Sequence, residues 1–355
     1  MNEQGALSGR ANNFDALRLL AAAAVIVTHC YPLTGRAEGL DPLSQKFYAY
    51  SFSFIGLRLF FFVSGFLIAQ SLIRSNGIAD YAWKRFLRLI PGLVVALTVC
   101  IVVLGLGFGS MPFKEYLSNA ETWSYYKNAT LFLLQWSLPG VFATNVYGTV
   151  VNGSLWTLMY EVTCYIGLLG FSLGGGFKKR WFIALVFAAA ITLRFYFYFY
   201  PKYYGAWYSV GITNLNVKFT LDFGLYFLAG TLIYVYRELI VLRWWLAALS
   251  LGLFLGLGNS SWGDFGAYLG LPYLIIYLAY SSSLSIANRA GRFGDFSYGL
   301  YIYAFPVQQA IISLWPSVDV LSLFCTTITV TLSLAYLSWH LVEKPMLGFK
   351  NYFAK

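Results

Sequence analysis

A chain of 355 residues that is 59% hydrophobic, 20% aromatic and only 11% charged is excluded from the water-soluble globules, in which about 25% of residues carry charge. Its net charge of +10 does not indicate nucleic acid, because the basic residues are scattered between apolar runs instead of forming a stripe. Four cysteines, Cys30, Cys100, Cys164 and Cys325, each lie in an apolar run without a CxxC pair or a His cluster, so they read as core packing and not as a disulfide framework or a zinc site.

In chain order the apolar stretches fall at 16–31, 47–73, 87–107, 155–174, 181–200, 219–236, 244–258, 265–280, 297–315 and 320–341. At the ~20 residues a helix needs to cross the hydrocarbon, they place about 200 residues in the bilayer. The expectation is an all-α polytopic membrane protein of about ten transmembrane helices, one domain over 1–355, with no internal repeat of the kind that builds transporters from duplicated halves. The connection 108–153 is the longest, and it suits an interfacial or re-entrant segment on the outer side.

Charge sets the orientation. With a cytoplasmic N-terminus, 16 of the 24 Lys and Arg residues fall inside: Arg10, Arg18, Arg74, Lys84, Arg85, Arg88, Lys178, Lys179, Arg180, Arg237, Arg243, Arg289, Arg292, Lys344, Lys350 and Lys355. Six fall outside (Arg36, Lys46, Lys114, Lys127, Lys202, Lys218), and Arg58 and Arg194 sit within spans. Both termini are therefore expected in the cytoplasm. The first span follows Arg10 and Arg18 as a signal peptide would, but the polar residues embedded in it suit a retained helix.

Ionisable groups within spans are costly and mark candidate functional sites. His29 is one of two histidines; the other, His340, ends the last span and reads as a structural residue. Arg18 and His29 are eleven residues apart, close to three helical turns, so they share a face about 16 Å apart along the axis. A long donor gripped by its charged end at Arg18 would place a reactive end near His29; the plain alternative is that Arg18 snorkels to the headgroups and pairs with Asp15. Arg58 lies too deep to reach the inner surface and needs a partner. It is read either as a ligand contact or as half of a buried pair with Glu161 or Asp222.

Arg85 and Arg88, at i and i+3 before Pro91, present two guanidinium forks on one cytoplasmic face, a geometry that clamps phosphate and also suits anionic lipid. The run Asn152-Gly153-Ser154-Leu155-Trp156 opens the fourth span, with Glu161 two turns deeper, where a carboxylate can orient a histidine, pair with Arg58 or receive a proton. Aromatic residues at 195–200, with Tyr203, Tyr204 and Trp207, form a candidate glycan platform at the outer interface, where aromatic belts are also general.

Six fragments in order resemble the acyltransferase-3 family of integral membrane acyltransferases over essentially the whole chain. They are Phe14-Asp15-Ala16-Leu17-Arg18 with His29; Arg58 with Phe60 to Phe66; Arg85-Phe86-Leu87-Arg88 with Pro91; Gly153-Ser154-Leu155-Trp156-Thr157-Leu158 with Glu161; Ser297-Tyr298-Gly299-Leu300-Tyr301-Ile302-Tyr303; and Glu343-Lys344-Pro345. The resemblance implies a ten-helix enzyme that passes an acyl group, usually acetyl, from cytoplasmic acyl-CoA to a hydroxyl of a cell-surface glycan or lipid-linked saccharide. It implies a bacterial inner-membrane location. It assigns His29 as catalytic and Arg18, Arg85 and Arg88 to donor recognition.

Beside these stand Glu161 as a second candidate catalytic group, Arg58 as a further candidate donor contact, and Asn152, Ser154, Trp156 and Tyr298 as substrate or structural support. Some family members carry an extracytoplasmic hydrolase-like domain; this chain, ending at Lys355, is expected to be the stand-alone form. Its expected partners are acyl-CoA, a glycan or glycolipid acceptor and membrane lipids, with no nucleic acid, and either direct transfer or a separate acyl-transferring partner protein. The expected chemistry is general-base catalysis by His29 or a transient acyl-His, without a metal. A transporter or flippase for a glycolipid or small polar solute is the competing reading, and a non-catalytic sensor or scaffold a third.

Overall fold

A computed structural model describes residues 12–37, 40–201, 207–210, 213–281, 291 and 294–353. Arg10, Lys202, Tyr203, Tyr204, Arg289, Arg292 and Lys355, all used above, lie outside the described residues. Helices fall on each of the apolar stretches: α1 Phe14–Leu33, α2 Phe52–Ile73, α3 Ile78–Thr98, α4 Leu158–Leu173, α5 Arg180–Phe199, α6 Val217–Val235, α7 Trp244–Leu257, α8 Gly263–Tyr280, α9 Ser297–Leu314 and α10 Val320–Ser338. Among the described residues six are long and apolar enough to cross a membrane: α1, α2, α3 with its continuation to Phe108, α5, α6, and α10 with its continuation to Leu347. The remaining four fall short in length or in apolarity. The protein is an all-α membrane protein, with one small antiparallel hairpin, β1 Trp207–Val210 and β2 Thr213–Asn216.

The third helix begins nine residues before its apolar stretch. Gly77, at φ 119°, breaks the chain after α2 in a conformation that side-chain-bearing residues rarely adopt. The buried Asp80 then starts the next helix, accepting from the Asn76 amide at 2.9 Å and from Lys84 at 2.6 Å. Asp80 and Lys84 are an i,i+4 pair, so helix-stabilising chemistry is local here even though hydrophobicity is not. Arg85 and Arg88 therefore stand on the helix itself.

The chain divides into two compact bodies. The first comprises residues up to Ala21, 43–75 and 160–293. Its centre is the α2–α6 pair, where neither helix tolerates a side chain at the crossing. A Cβ on Gly65 would lie 1.9 Å from the Phe227 carbonyl oxygen, and one on Gly230 would lie 2.0 Å from that of Phe62. Small residues let membrane helices approach to backbone contact, where dispersion and short polar bonds replace the hydrophobic effect; Thr231 supplies one such bond to the Gly65 carbonyl at 3.1 Å. Asn13 ties the start of α1 to the end of α8 through the carbonyls of Ala279 and Leu278.

The second body comprises 22–42, 76–159 and 294–355. Here α3 runs through a π-helical turn, Val99–Leu104, to Phe108, and α10 through another, Trp339–Glu343, to Leu347. Gly299 of α9 lets α10 approach, since its Cβ would fall 2.9 Å from the Cα of Ala335. The connection 108–153 folds into short helical turns, Phe113–Ser118, Ala120–Ser124 and Tyr125–Thr130, joined by single bridges Gly109 to Val141 and Ser137 to Val150, over buried Tyr116, Tyr125 and Phe142. At the start of α10 Asp319 caps the helix, and the Ser322 hydroxyl, then the Ser322 and Leu321 amides, hold its carboxyl below the usual range.

Candidate active site

The site forms where three segments of the second body meet. One is the later part of α1, carrying His29. The second is α9. The third is the run of turns and bends from Asn145 to Ser154 that leads into α4. Proline chemistry explains why the third segment lies against α9. Pro306 has no N–H, so the Ile302 carbonyl four residues earlier loses its helical donor. Asn152 replaces it, donating from Nδ2 at 2.8 Å, while its Oδ1 accepts from the Ser154 amide at 3.1 Å. Asn152 is thus the plug of a proline-made gap.

The same segment is fixed at two further points. Gln309 donates to the carbonyls of Gly148 (3.2 Å) and Val150 (2.7 Å), and Asn145 donates to the Gln309 side-chain oxygen (2.8 Å) and main-chain oxygen (2.9 Å). Ser313 completes the chain on Asn145 Oδ1 at 2.7 Å. Below it, Tyr301 donates to the Ser154 carbonyl at 2.9 Å, which spends its single proton, so the Thr157 hydroxyl must donate to Tyr301. Ser154 is buried in this packing, and Trp156 sits half-buried on the adjoining 3-10 turn Leu155–Thr157.

This framework presents Phe305 to His29. The two rings meet edge to face with centroids 5.3 Å apart, and Tyr147 meets Phe305 edge to face at 5.8 Å. Gly153 is required there: a Cβ would fall 2.6 Å from the Phe305 ring. His29 Nδ1 is closed off from solvent and has no hydrogen-bond partner. In either tautomer a buried polar group is left unsatisfied, at a cost of about 1–3 kcal/mol. A buried unsatisfied atom calls for an explanation, and a catalytic role is one that fits an imidazole.

Arg85 and Arg88 are brought one helical turn apart on α3, as expected from their spacing. Arg88 Nη2 donates to Asp295 at 2.6 Å and its Nη1 lies 3.8 Å from the buried Glu343, with Tyr298 beneath the guanidinium at 5.7 Å. Tyr298 in turn donates to the Leu89 carbonyl at 2.8 Å. Arg88 is therefore oriented by two carboxylates and a ring, and Arg85 lies over the Tyr81 ring, 6.0 Å from its centroid. His340 bonds to the Tyr336 carbonyl at 3.0 Å and stacks near its ring, as a structural residue would.

The first body holds Arg18, Arg58 and Glu161. Arg58 reaches Asp222 at 3.8 Å and the Phe54 carbonyl at 3.2 Å, with its guanidinium 3.4 Å from the Phe54 ring centre. Of its two expected counter-ions it takes Asp222. Glu161 instead accepts from Ser64 at 2.9 Å and from Tyr165. Residues that sequence reasoning passed over complete the Arg58 network: Arg194 lies 3.4 Å from Asp222 and bonds to Asp264, and Tyr268 donates to Asp222. The signal was present, since Arg194 was a second arginine within a span. In the aromatic run, Phe195 stacks on Phe265 and Tyr198 on Trp262, so those rings are packed against α8 and its approach.

Comparison with known proteins now decides the family. A family model described as an acyltransferase domain matches residues 12–340. The chain belongs to the acyltransferase-3 family. An O-acetyl transferase of Shigella phage Sf6 is 30% identical over 353 residues, covering 95% of this chain and 96% of that protein. Nodulation protein 10 of Rhizobium leguminosarum bv. viciae is 29% identical over 380 residues, covering 97% and 95% respectively. No solved structure matches. Family membership and the apolar helices make the protein a multi-pass membrane O-acyltransferase, in which the site around His29 is the candidate for the chemistry.

Proposed function

We propose that this acyltransferase moves an acetyl group from cytoplasmic acetyl-CoA to a hydroxyl of a cell-surface glycan or lipid-linked saccharide, with His29 as general base. The observation that carries the reading is the enclosed His29 nitrogen with no partner of its own beside Phe305 and Gly153. An incoming hydroxyl satisfies it. His29 takes the hydroxyl proton as the oxygen attacks the thioester carbonyl; the carbon–sulfur bond breaks, and the proton passes from the imidazolium to the departing CoA thiolate. General-base assistance of this kind contributes about 10²- to 10⁴-fold. The orientation assumed is ten crossings with both termini inside the bacterial inner membrane, which the distribution of Lys and Arg supports. The connection 108–153 then faces outward, on the acceptor side.

Donor phosphates are assigned to Arg85 and Arg88. Arg88 is held for the task by Asp295 and Glu343, and Arg85 offers a second fork one turn away. Arg58, already engaged with Asp222, is assigned to packing. Glu161 is assigned to the hydrogen-bonded cluster with Ser64 and Tyr165, in support of the fold around α4.

Purified protein in nanodiscs, given radiolabelled acetyl-CoA and envelope saccharide from cells lacking the gene, should release free CoA and label the saccharide. His29→Ala should lose about 10²- to 10⁴-fold in rate while remaining folded, and Arg85→Ala should raise the KM for acetyl-CoA. Transfer at the normal rate by His29→Ala removes the mechanism. Solute movement without CoA release converts the protein into a transporter.

A further inference from the structure

His29 stands on the last full turn of α1, which also carries Pro32 and continues to Leu33.

Gln308 of α9 lies across that turn. It is fully buried, and its Nε2 is 3.0 Å from the Ile26 carbonyl and 3.0 Å from Cys30 Sγ. These two acceptors bracket His29 by three residues on one side and one on the other. One turn earlier on the same face of α9 stands Phe305, the ring that meets the His29 imidazole. One helix therefore holds both the main chain below the imidazole and the ring beside it. The Gln308 Oε1 atom, also buried, has no partner, so the side chain is oriented at the expense of one acceptor. A glutamine placed only for packing would gain from satisfying that oxygen.

We infer that Gln308 is a positioning residue for the acyl transfer: it braces the turn of α1 that carries His29 and so sets where the imidazole stands relative to Phe305. The inference rests on the proposed role of His29. It goes beyond that role by naming the residue that fixes the base. A misplacement of about 1 Å in a reacting group costs on the order of 100-fold in rate, which sets the scale of what the brace protects.

The test uses the fact that the chain has two histidines. On a His340→Gln background, diethyl pyrocarbonate reacting at histidine reports His29 alone. In the full-length protein in nanodiscs, Gln308→Met, which keeps length and removes the donor, should lower the rate at saturating acetyl-CoA by about 10- to 100-fold. The KM for acetyl-CoA should stay unchanged, and the rate of His29 carbethoxylation should change several-fold. Gln308→Glu, the same size but without an N–H when ionised, should behave alike and covers the case in which the Met variant does not fold. A normal rate in whichever variant folds overturns the inference, and so does a lost rate with unaltered His29 reactivity. If His29→Ala remains active, the base itself is wrong; if His29→Ala is dead while the Gln308 variants turn over normally, only the brace is wrong.

Discussion

Two polar clusters buried in this membrane protein have opposite bookkeeping. In the first body, Arg58, Arg194, Asp222, Asp264 and Tyr268 form a network of two positive and two negative side chains, in which Asp222, 1% exposed, is met by both arginines and by the tyrosine hydroxyl. In the second body, His29 Nδ1 and Gln308 Oε1 are enclosed without partners, beside the bonded amides of Asn145, Asn152 and Gln309. Charges taken out of water are retained when they neutralise one another, and then they specify packing. A polar atom left unsatisfied in the same kind of interior has a cost, and a catalytic role is one explanation of it. Intramembrane polarity alone does not separate the two cases, and neither does a single unpartnered atom, since Arg58 Nε has none either; the meeting of opposite charges does.

The comparison can be broken at either end. The largest effect is expected from Asp222→Ala, which takes from Arg58 the carboxylate it reaches, leaves Arg194 with Asp264, and strips Tyr268 of its acceptor. Removing one side of a buried pair costs about 3–5 kcal/mol, so this variant should accumulate poorly and melt far below the parent. An unchanged melting temperature would mean the network does not hold the first body together.

Next comes Asn152→Ala, which uncovers the Ile302 carbonyl at an expected cost of about 1–3 kcal/mol. Pro306→Ala restores a helical donor to that same carbonyl, so the double variant should recover most of the loss, giving a coupling energy of about 1 kcal/mol or more. Strict additivity in denaturation measurements would separate Asn152 from Pro306. The smallest stability effect belongs to His29→Phe. It removes the unsatisfied nitrogen, so its unfolding free energy should equal or slightly exceed the parent's, by up to about 1–2 kcal/mol, while acyl transfer is lost. Marked destabilisation would place His29 among the structural groups after all.

Much of this was legible in the residues. Each of the ten hydrophobic runs located a helix, six of them long and apolar enough among the described residues to cross a bilayer, because helix formation in lipid is forced by the need to satisfy every backbone group internally. The start of α3 was misplaced because its first turns are secured by Gly77, Asp80 and Lys84, none of them apolar. Arg58 was recognised as needing a counter-ion, but choosing between Glu161 and Asp222 required knowing which helices touch. Arg194 was visible as an intramembrane charge, whereas Tyr268 and Asp264 became its partners only through the packing of α5, α6 and α8.

Composition and order along the chain determined that this is a helical membrane protein, where its helices lie and which motifs mark its family, since each is a local property of residue type and spacing. The three-dimensional packing decided the rest: that Asn152 fills the gap made by Pro306, that Gln308 spans the turn beneath His29, and that Arg88 is held by Asp295 and Glu343. These contacts join residues 150, 282 and 207 positions apart in the chain for the first three bonds. Hydrogen bonds are short and directional, so which groups meet is set by how helices cross and not by the order in which they are written.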